Sequence, residues 1–459
     1  MDRVHTSYTS PRLRDSRYLS LTKTTHMSSR RSFLRTSASL SGMLAIPSLI
    51  PAEILRTESQ IGDYAQAKSS SELSTDEDFW RWVREQYTVS STLINLNNGG
   101  VAPQPRSVQE AHIRYYQMCN DAPSYYMWRI LDNGRESLRI KLAELAGTLP
   151  EEIAINRNST EGLNTIIFGL NLKAGDEVVL TKYDYPNMMN AWKQREKREG
   201  IVLKWIDLDL PFESDQYIVE KFESAITSKT RVVHITHMIN WTGQLMPARK
   251  IADMAHKKGC EVIVDGAHTF AHIDHKIPDT GADYYATSLH KWLSSPFGSG
   301  LLYIKKEKIK DIWALLSNDK PDGDDIKKFE SLGTRSFASE MAIAQSVDFF
   351  HTIGAERKEA RLRYLKNYWA EKVSKLKGVK LNTSLLPDYS CAIGNVSVEG
   401  WTASQIESKL MELQKIHCVA IKFEKIDGVR ITPNTYTMIE ELDRLVDGFE
   451  YITSHDAPK

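Results

Sequence analysis

Apolar and polar positions follow two registers along this chain, and the switches between them mark its elements. Short, nearly continuous apolar runs at 153–155, 177–180, 202–205, 231–235 and 262–264 predict buried strands. Between them, 187–199 and 248–258 read as helices, and another helix is expected to start near Thr160. Ahead of the first strand, Leu131, Leu138, Leu142 and Leu145 predict a helix over 129–146 that Gly147 closes. Strands alternating with helices imply an α/β fold with a mostly parallel sheet covered by helices on both faces. Ligands of such sheets bind beyond the carboxyl ends of the strands.

The flanks read differently. A short amphipathic helix is expected at 78–83, and the apolar run 93–96 leads into Asn97-Asn98-Gly99-Gly100, a turn that needs positive φ. After a strand-like run at 300–304, residues 306–328 are charged and loop-rich. A long helix follows from about Ser339, with Met341, Ala344, Val347 and Phe350 on one face. Strand-like runs at 393–398, 419–423 and 429–432 then fall between helices at 404–414 and 438–451. The pattern predicts a large domain over 76–338 and a smaller C-terminal α+β domain over 339–459. Residues 1–75 read as a leader followed by a polar, Ser-rich linker over 53–75.

In the leader, Ser29-Arg30-Arg31-Ser32-Phe33-Leu34-Arg35 precedes a weakly apolar segment at 38–50 and resembles a twin-arginine export signal. Met27 stands just before it and is the expected start of translation. The reading implies the twin-arginine translocase as a partner and a periplasmic or exported protein, or a cytoplasmic one if the leader does not function.

Composition narrows the function classes. Among 459 residues, Lys+Arg and Asp+Glu balance at 59 each, so charge suggests neither a nucleic-acid footprint nor a funnel for acidic ligands. The four cysteines are scattered, with no metal-type spacing, and no metal site is expected. No apolar stretch reaches membrane-spanning length.

The candidate chemistry concentrates in 261–307. An apolar run ends on Asp265; His268 follows, then Ser288-Leu289-His290-Lys291, a Pro/Gly-rich loop and the run at 300–304. A carboxylate at the end of a buried strand, with a lysine some two dozen residues later, is what pyridoxal 5′-phosphate (PLP) chemistry needs. The lysine binds the cofactor covalently, and the carboxylate keeps the pyridine nitrogen protonated. Asn158-Ser159-Thr160-Glu161-Gly162 opens a helix directly after a strand, where free N–H groups suit a phosphate dianion. An ordinary Ser/Thr N-cap has the same appearance.

DGAH at 265–268 and SLHK at 288–291, together with INLNNGG, NRNSTEGLN and YDYP, resemble the class V aminotransferase family of fold-type-I PLP enzymes. The resemblance spans about 97–452 and is nearest the branch of isopenicillin N epimerase-like proteins. It implies PLP as cofactor, Lys291 as its attachment point and Asp265 as the ring-nitrogen partner. It assigns Ser159, Thr160, Ser288 and His290 to the phosphate. Gly333-Thr334-Arg335 matches a segment whose threonine reaches the phosphate of a neighbouring subunit, which implies a homodimer with shared sites. Tyr185 falls where the family stacks an aromatic, usually His, on the ring; Asn240 and His268 match residues beside the ring hydroxyl. Arg430 matches the arginine that clamps a substrate α-carboxylate, although an arginine at a strand end can simply be solvated. Asn98, in the NNGG turn, is a candidate substrate contact.

The implied function is a PLP enzyme acting at the α-carbon of an amino acid or amine, as an epimerase or racemase, with Lys291 and Tyr185 as candidate proton carriers. A class V transaminase is the alternative. A cysteine or selenocysteine lyase is a weaker one, because 422–427 lacks the cysteine that desulfurases carry there. A PLP-fold binding or regulatory module is the non-enzymatic alternative, and the Lys291/Asp265 pair argues against it.

Overall fold

In the computed structural model, which describes residues 50–457, the alternating runs assemble into a seven-stranded sheet. Its strands are β2 (Ile153–Asn156), β3 (Glu177–Thr181), β4 (Val202–Ile206), β5 (Thr230–Thr236), β6 (Glu261–Asp265), β7 (Tyr284–Ser288) and β8 (Gly300–Ile304), after a short β1 (Ile94–Asn95) that lies elsewhere. They lie in the order β2-β8-β7-β6-β5-β3-β4. Pairing is parallel from β4 through β7, while β8 runs antiparallel to both β7 and β2. Every strand but β8 therefore points the same way, and the ends of β2, β3, β5, β6 and β7 open on one edge.

Both faces of the sheet are covered, and the period-2 alternation of side chains shows it. Val179, Val233, Val262 and Val264 enter one apolar layer; Val178, Val232 and Ile263 enter the other. Each such fully buried side chain contributes about 1.5–3 kcal/mol relative to exposure. That two-sided burial is why the strands read as continuous apolar runs.

β2 is an edge strand, and its exposed hydrogen-bonding side is closed by one carboxylate. Glu330 accepts from the Ile155 N–H at 2.7 Å and pairs bidentately with Arg139 at 2.6 and 2.9 Å. Arg135 adds a third contact at 3.1 Å. Glu330 thus fixes the position of the strand that leads into the helix beginning at Ser159.

The C-terminal segment forms a second, antiparallel sheet in the order β12-β13-β10-β9, from β9 (Val379–Leu381), β10 (Gly394–Val398), β12 (Val419–Phe423) and β13 (Ile426–Ile431). Helices Ala403–Gln414 and Ile439–Thr453 pack on it through Ile406, Leu410, Leu442 and Leu445. β1 pairs in parallel with β11 (Ile416–His417), so the N-terminal segment crosses to the C-terminal part. The described residues fall within one compact unit.

Two expectations need correction. The stretch read as a linker over 53–75 is largely helical, as Ala52–Gln66 and Ser70–Ser74. Ile61, Ala65 and Leu73 pack in one cluster with Phe79, Trp80 and Phe349, although too few apolar residues repeat there to signal a helix. The long helix expected from 339 is two helices, Phe337–Ile353 and Ala355–Val373, broken at Gly354 with φ 92°. Helices Arg106–Asp121 and Asp215–Ala225 and strand β7 were not signalled by periodicity. The twin-arginine motif lies outside the described residues.

Replacing Glu330 by Ala strands Arg139 and the Ile155 N–H in the interior, and should destabilise the protein by about 3–5 kcal/mol. Equilibrium urea unfolding measures the loss; a change below about 1 kcal/mol, the size of a surface pair, would contradict this role.

Candidate active site

At the carboxyl edge of the sheet a cavity of about 490 Å³ is lined from five strand exits and from β12 and β13. β6 delivers Asp265, which pairs in register with Ala286 of β7. The chain then turns through Gly266, where a Cβ would lie 1.9 Å from the Tyr285 ring, so only glycine lets the β6 exit pass so closely. Asp265 is 4 % exposed, and its Oδ1 accepts from the Ala267 N–H at 3.0 Å. Burial pushes its carboxyl above the ordinary range; the Ala267 N–H and the Lys291 charge oppose that shift.

Lys291 follows the end of β7 and opens onto the cavity. Burial pushes its ammonium down to about 8; the Asp265 carboxylate opposes that shift and the Arg430 guanidinium adds to it. Its Nζ lies 3.0 Å from His268 Nε2. His268 is 5 % exposed and its Nδ1 faces the Trp292 indole N–H at 3.4 Å. With Nδ1 accepting, the ring proton sits on Nε2, so His268 donates to the neutral amine. Burial, with Lys291 and Arg430 nearby, holds His268 well below its ordinary value, which keeps that arrangement. The structure therefore places His268 against the lysine.

At the other end, the helix Ser159–Gly169 points its N-terminus at the cavity, capped by Asn158, whose Oδ1 accepts from the Glu161 N–H at 2.9 Å. The Ser159 N–H donates to Ser288 Oγ at 2.9 Å, and the two hydroxyls lie 3.0 Å apart. Thr160 and His290 complete this end. His290 Nδ1 donates to Ser299 O at 3.1 Å, and burial pushes the ring down to about 4. A dianion beside Nε2 would reverse that shift, because it favours the charged ring.

Asn240, on the β5 exit loop, is 5 % exposed and its Oδ1 has no protein partner among the described residues. Tyr185 borders the cavity with 38 % of its surface exposed. Arg430, near the end of β13, is 7 % exposed; its Nη1 donates to Asn240 O at 3.1 Å and its Nη2 to Asn97 Oδ1 at 3.0 Å. Burial lowers its proton affinity to about 10, and its Nε has no protein partner among the described residues.

Two sequence candidates stand apart from the cavity. Asn98 is fully buried and its amide is committed: Nδ2 donates to Asn95 O and Thr432 O at 3.1 and 2.9 Å, and Oδ1 accepts from Tyr436 OH at 2.6 Å. The residue of that turn that reaches Arg430 is Asn97, and Gly99 and Gly100 form the wall. Thr334 is exposed on the surface and does not line this cavity. Sequence reasoning also missed Thr236 and Trp241, the latter stacked on Phe423 with ring centroids 4.5 Å apart. Their positions beside the β5 exit were the available signal.

The residues fit PLP. A helix N-terminus with hydroxyls at one end, a buried carboxylate and a perturbed lysine in the middle, and an unpartnered amide oxygen and guanidinium nitrogen together match a phosphate, a ring nitrogen and polar substituents.

Comparison with known proteins agrees. The aminotransferase class-V family profile matches residues 94–445. The chain is 27% identical over 395 residues to isopenicillin N epimerase of Streptomyces clavuligerus, covering 82% of this chain and 98% of that protein. It is 28% identical over 297 residues to a probable cysteine desulfurase of Synechocystis sp., covering 60% and 70% respectively. Its fold matches a solved C-DES variant with glycine covalently linked to the PLP cofactor, with a TM-score of 0.70, 21% identity, and 80% and 98% of the two chains covered.

If Lys291 is the residue that holds PLP, its amine must first lose a proton, so the visible band formed on adding PLP should appear faster as pH rises through about 8 and level off above it. Stopped-flow absorbance measures the rate; a rate independent of pH from about 7 to 9 would contradict the environment described for Lys291.

Proposed function

The chain belongs to the class V aminotransferase family and is a PLP-dependent enzyme, and from that premise we propose that it moves a proton at the α-carbon of a free amino acid, as an epimerase or racemase does. The observation that carries this reading is that a lysine amine with a value near 8 and a buried guanidinium border one cavity.

PLP, when bound, supplies an electron sink for the charge left on the α-carbon. The chain's own residues do the rest. Arg430 holds the substrate carboxylate through the terminal N–H groups that Asn240 and Asn97 leave free, the residue type suited to bidentate recognition. Asp265, ionised beside a ring N–H, keeps that proton in place. Lys291 takes the α-proton and returns it, since an amine with a value near 8 exchanges protons readily close to neutrality. His268 orients the amine. Tyr185, half-exposed at the cavity wall, is proposed as the second proton carrier that inversion of configuration requires.

Similarity to the epimerases along nearly their whole length supports this reading. A lyase using a nucleophilic cysteine finds less support. All four cysteines are buried, and burial pushes Cys391 and Cys418 up to about 12, where no thiolate forms. The segment where a desulfurase cysteine is expected is a tight hairpin, with Glu424 and Lys425 between β12 and β13. Transamination uses the same lysine and remains the second reading.

Incubation with amino acids in deuterated water separates the reactions. Deuterium at Cα with loss of optical purity is expected; keto-acid formation would favour transamination, and no exchange with any amino acid would overturn the proposal. Tyr185→Phe should slow racemisation about a hundredfold while leaving Cα exchange measurable.

We also propose a homodimer in which the exposed Thr334 serves the partner's phosphate site, and export through the twin-arginine route directed by Arg30 and Arg31. That route carries folded proteins, which suits an enzyme loaded with PLP before crossing. Arg30→Lys with Arg31→Lys should leave the protein inside the cell by fractionation; unchanged secretion would count against export.

A further inference from the structure

Arg430 is held from behind by a single side-chain amide. A guanidinium carries donors only, so the edge of Asn97 that faces Nη2 at 3.0 Å is the oxygen. The opposite edge, Nδ2, faces His417 Nε2 at 3.2 Å, and that nitrogen must be an acceptor with the ring proton on Nδ1. One amide is therefore oriented jointly by a residue inside the catalytic cavity and one outside it. His417 borders a second cavity of about 470 Å³, which shares Gly100 with the first.

The backbone leaves this amide little freedom. β1 and β11 set Asn95 opposite His417, and Asn97 forms a bridge with Thr432 just past β13. A Cβ on Gly100 would lie 3.3–3.4 Å from the Asn97 amide, so the plane of the amide is already packed on that side. Position is thus fixed by packing, but the choice between oxygen and nitrogen edges is not, because the two edges are nearly isosteric. Only hydrogen-bond chemistry decides it.

We propose that His417 is a positioning residue for substrate binding: by accepting from Asn97 Nδ2 it holds the amide oxygen toward Arg430, which fixes the guanidinium at the cavity wall for a substrate α-carboxylate. The inference rests on the reading of Arg430 as the carboxylate site. Without an acceptor at 417 the amide NH₂ loses its partner, and a turned amide would set NH₂ against the guanidinium. The substrates concerned are amino acids with a free α-carboxylate, so the corresponding amines should not sense His417.

The test compares His417→Leu, which lacks an acceptor, with His417→Gln, which keeps one at the same reach. PLP-loaded protein is titrated with L-alanine and with ethylamine, following the visible band. The Leu variant should bind L-alanine about tenfold more weakly, and the Gln variant within a few-fold of the unaltered chain, as expected for one hydrogen bond in a charge-assisted set. Ethylamine binding should not change. Equal losses for both ligands, or none with L-alanine, would overturn the proposal. In protein labelled with ¹⁵N-arginine and lacking PLP, the Arg430 Nε–H resonance should shift in the Leu variant and not in the Gln variant. If the unaltered chain forms no band with PLP, the reading of the function fails, while this resonance still decides the role of His417.

Discussion

An acid and a base lose their solvation together at the ends of adjacent strands. Asp265 leaves β6 and Lys291 leaves β7, and burial acts on them in opposite senses, raising the carboxyl and lowering the ammonium. Their mutual attraction counters part of both shifts. A protonated ring nitrogen beside Asp265 would favour its anion, and the lysine, freed of its partner's pull, would more readily be neutral. The rest of the architecture holds this pair in place. Parallel β6 and β7 put both ends on one edge, Gly266 admits the β6 exit past Tyr285, and His268 keeps the amine pointed into the cavity.

The two ends of the cavity are built by different parts of the chain. The phosphate end comes from the large sheet, where Ser159 and Ser288 meet because β2 and β7 flank β8 and exit in the same direction. The carboxylate end comes from β13 and the turn after β1, where Arg430 reaches Asn240 and Asn97. The cavity therefore lies between a doubly covered sheet and a smaller sheet that contributes Arg430. In the proposed function, chemistry rests on the first and selectivity on the second.

Much of the large sheet was legible because burial on both faces turns its strands into continuous apolar runs, as at Val262 to Val264. Asp265 was legible because a charged residue closing such a run needs a reason to be there, and Lys291 because its spacing from Asp265 and its SLHK setting fit PLP chemistry. Contacts set by tertiary approach were not. Asn97 and Asn98 are neighbours of the same type, and only the packing of the turn against Thr432 and Tyr436 decides which one turns inward. Glu330 stands in a charged segment and looks solvated, yet it closes the edge of β2. Helix Ala52–Gln66 buries so few apolar residues that its composition reads as a linker. Sequence shows the nearness of His268 to Asp265 but not its contact with Lys291.

Lys291 is proposed as the residue that joins PLP covalently. Borohydride reduction of the PLP-loaded protein, followed by proteolysis and mass spectrometry of the labelled peptide, tests it most directly. The account predicts one phosphopyridoxyl group per chain, on Lys291. Stable labelling of another lysine with Lys291 unmodified, or no specific labelling, would contradict it.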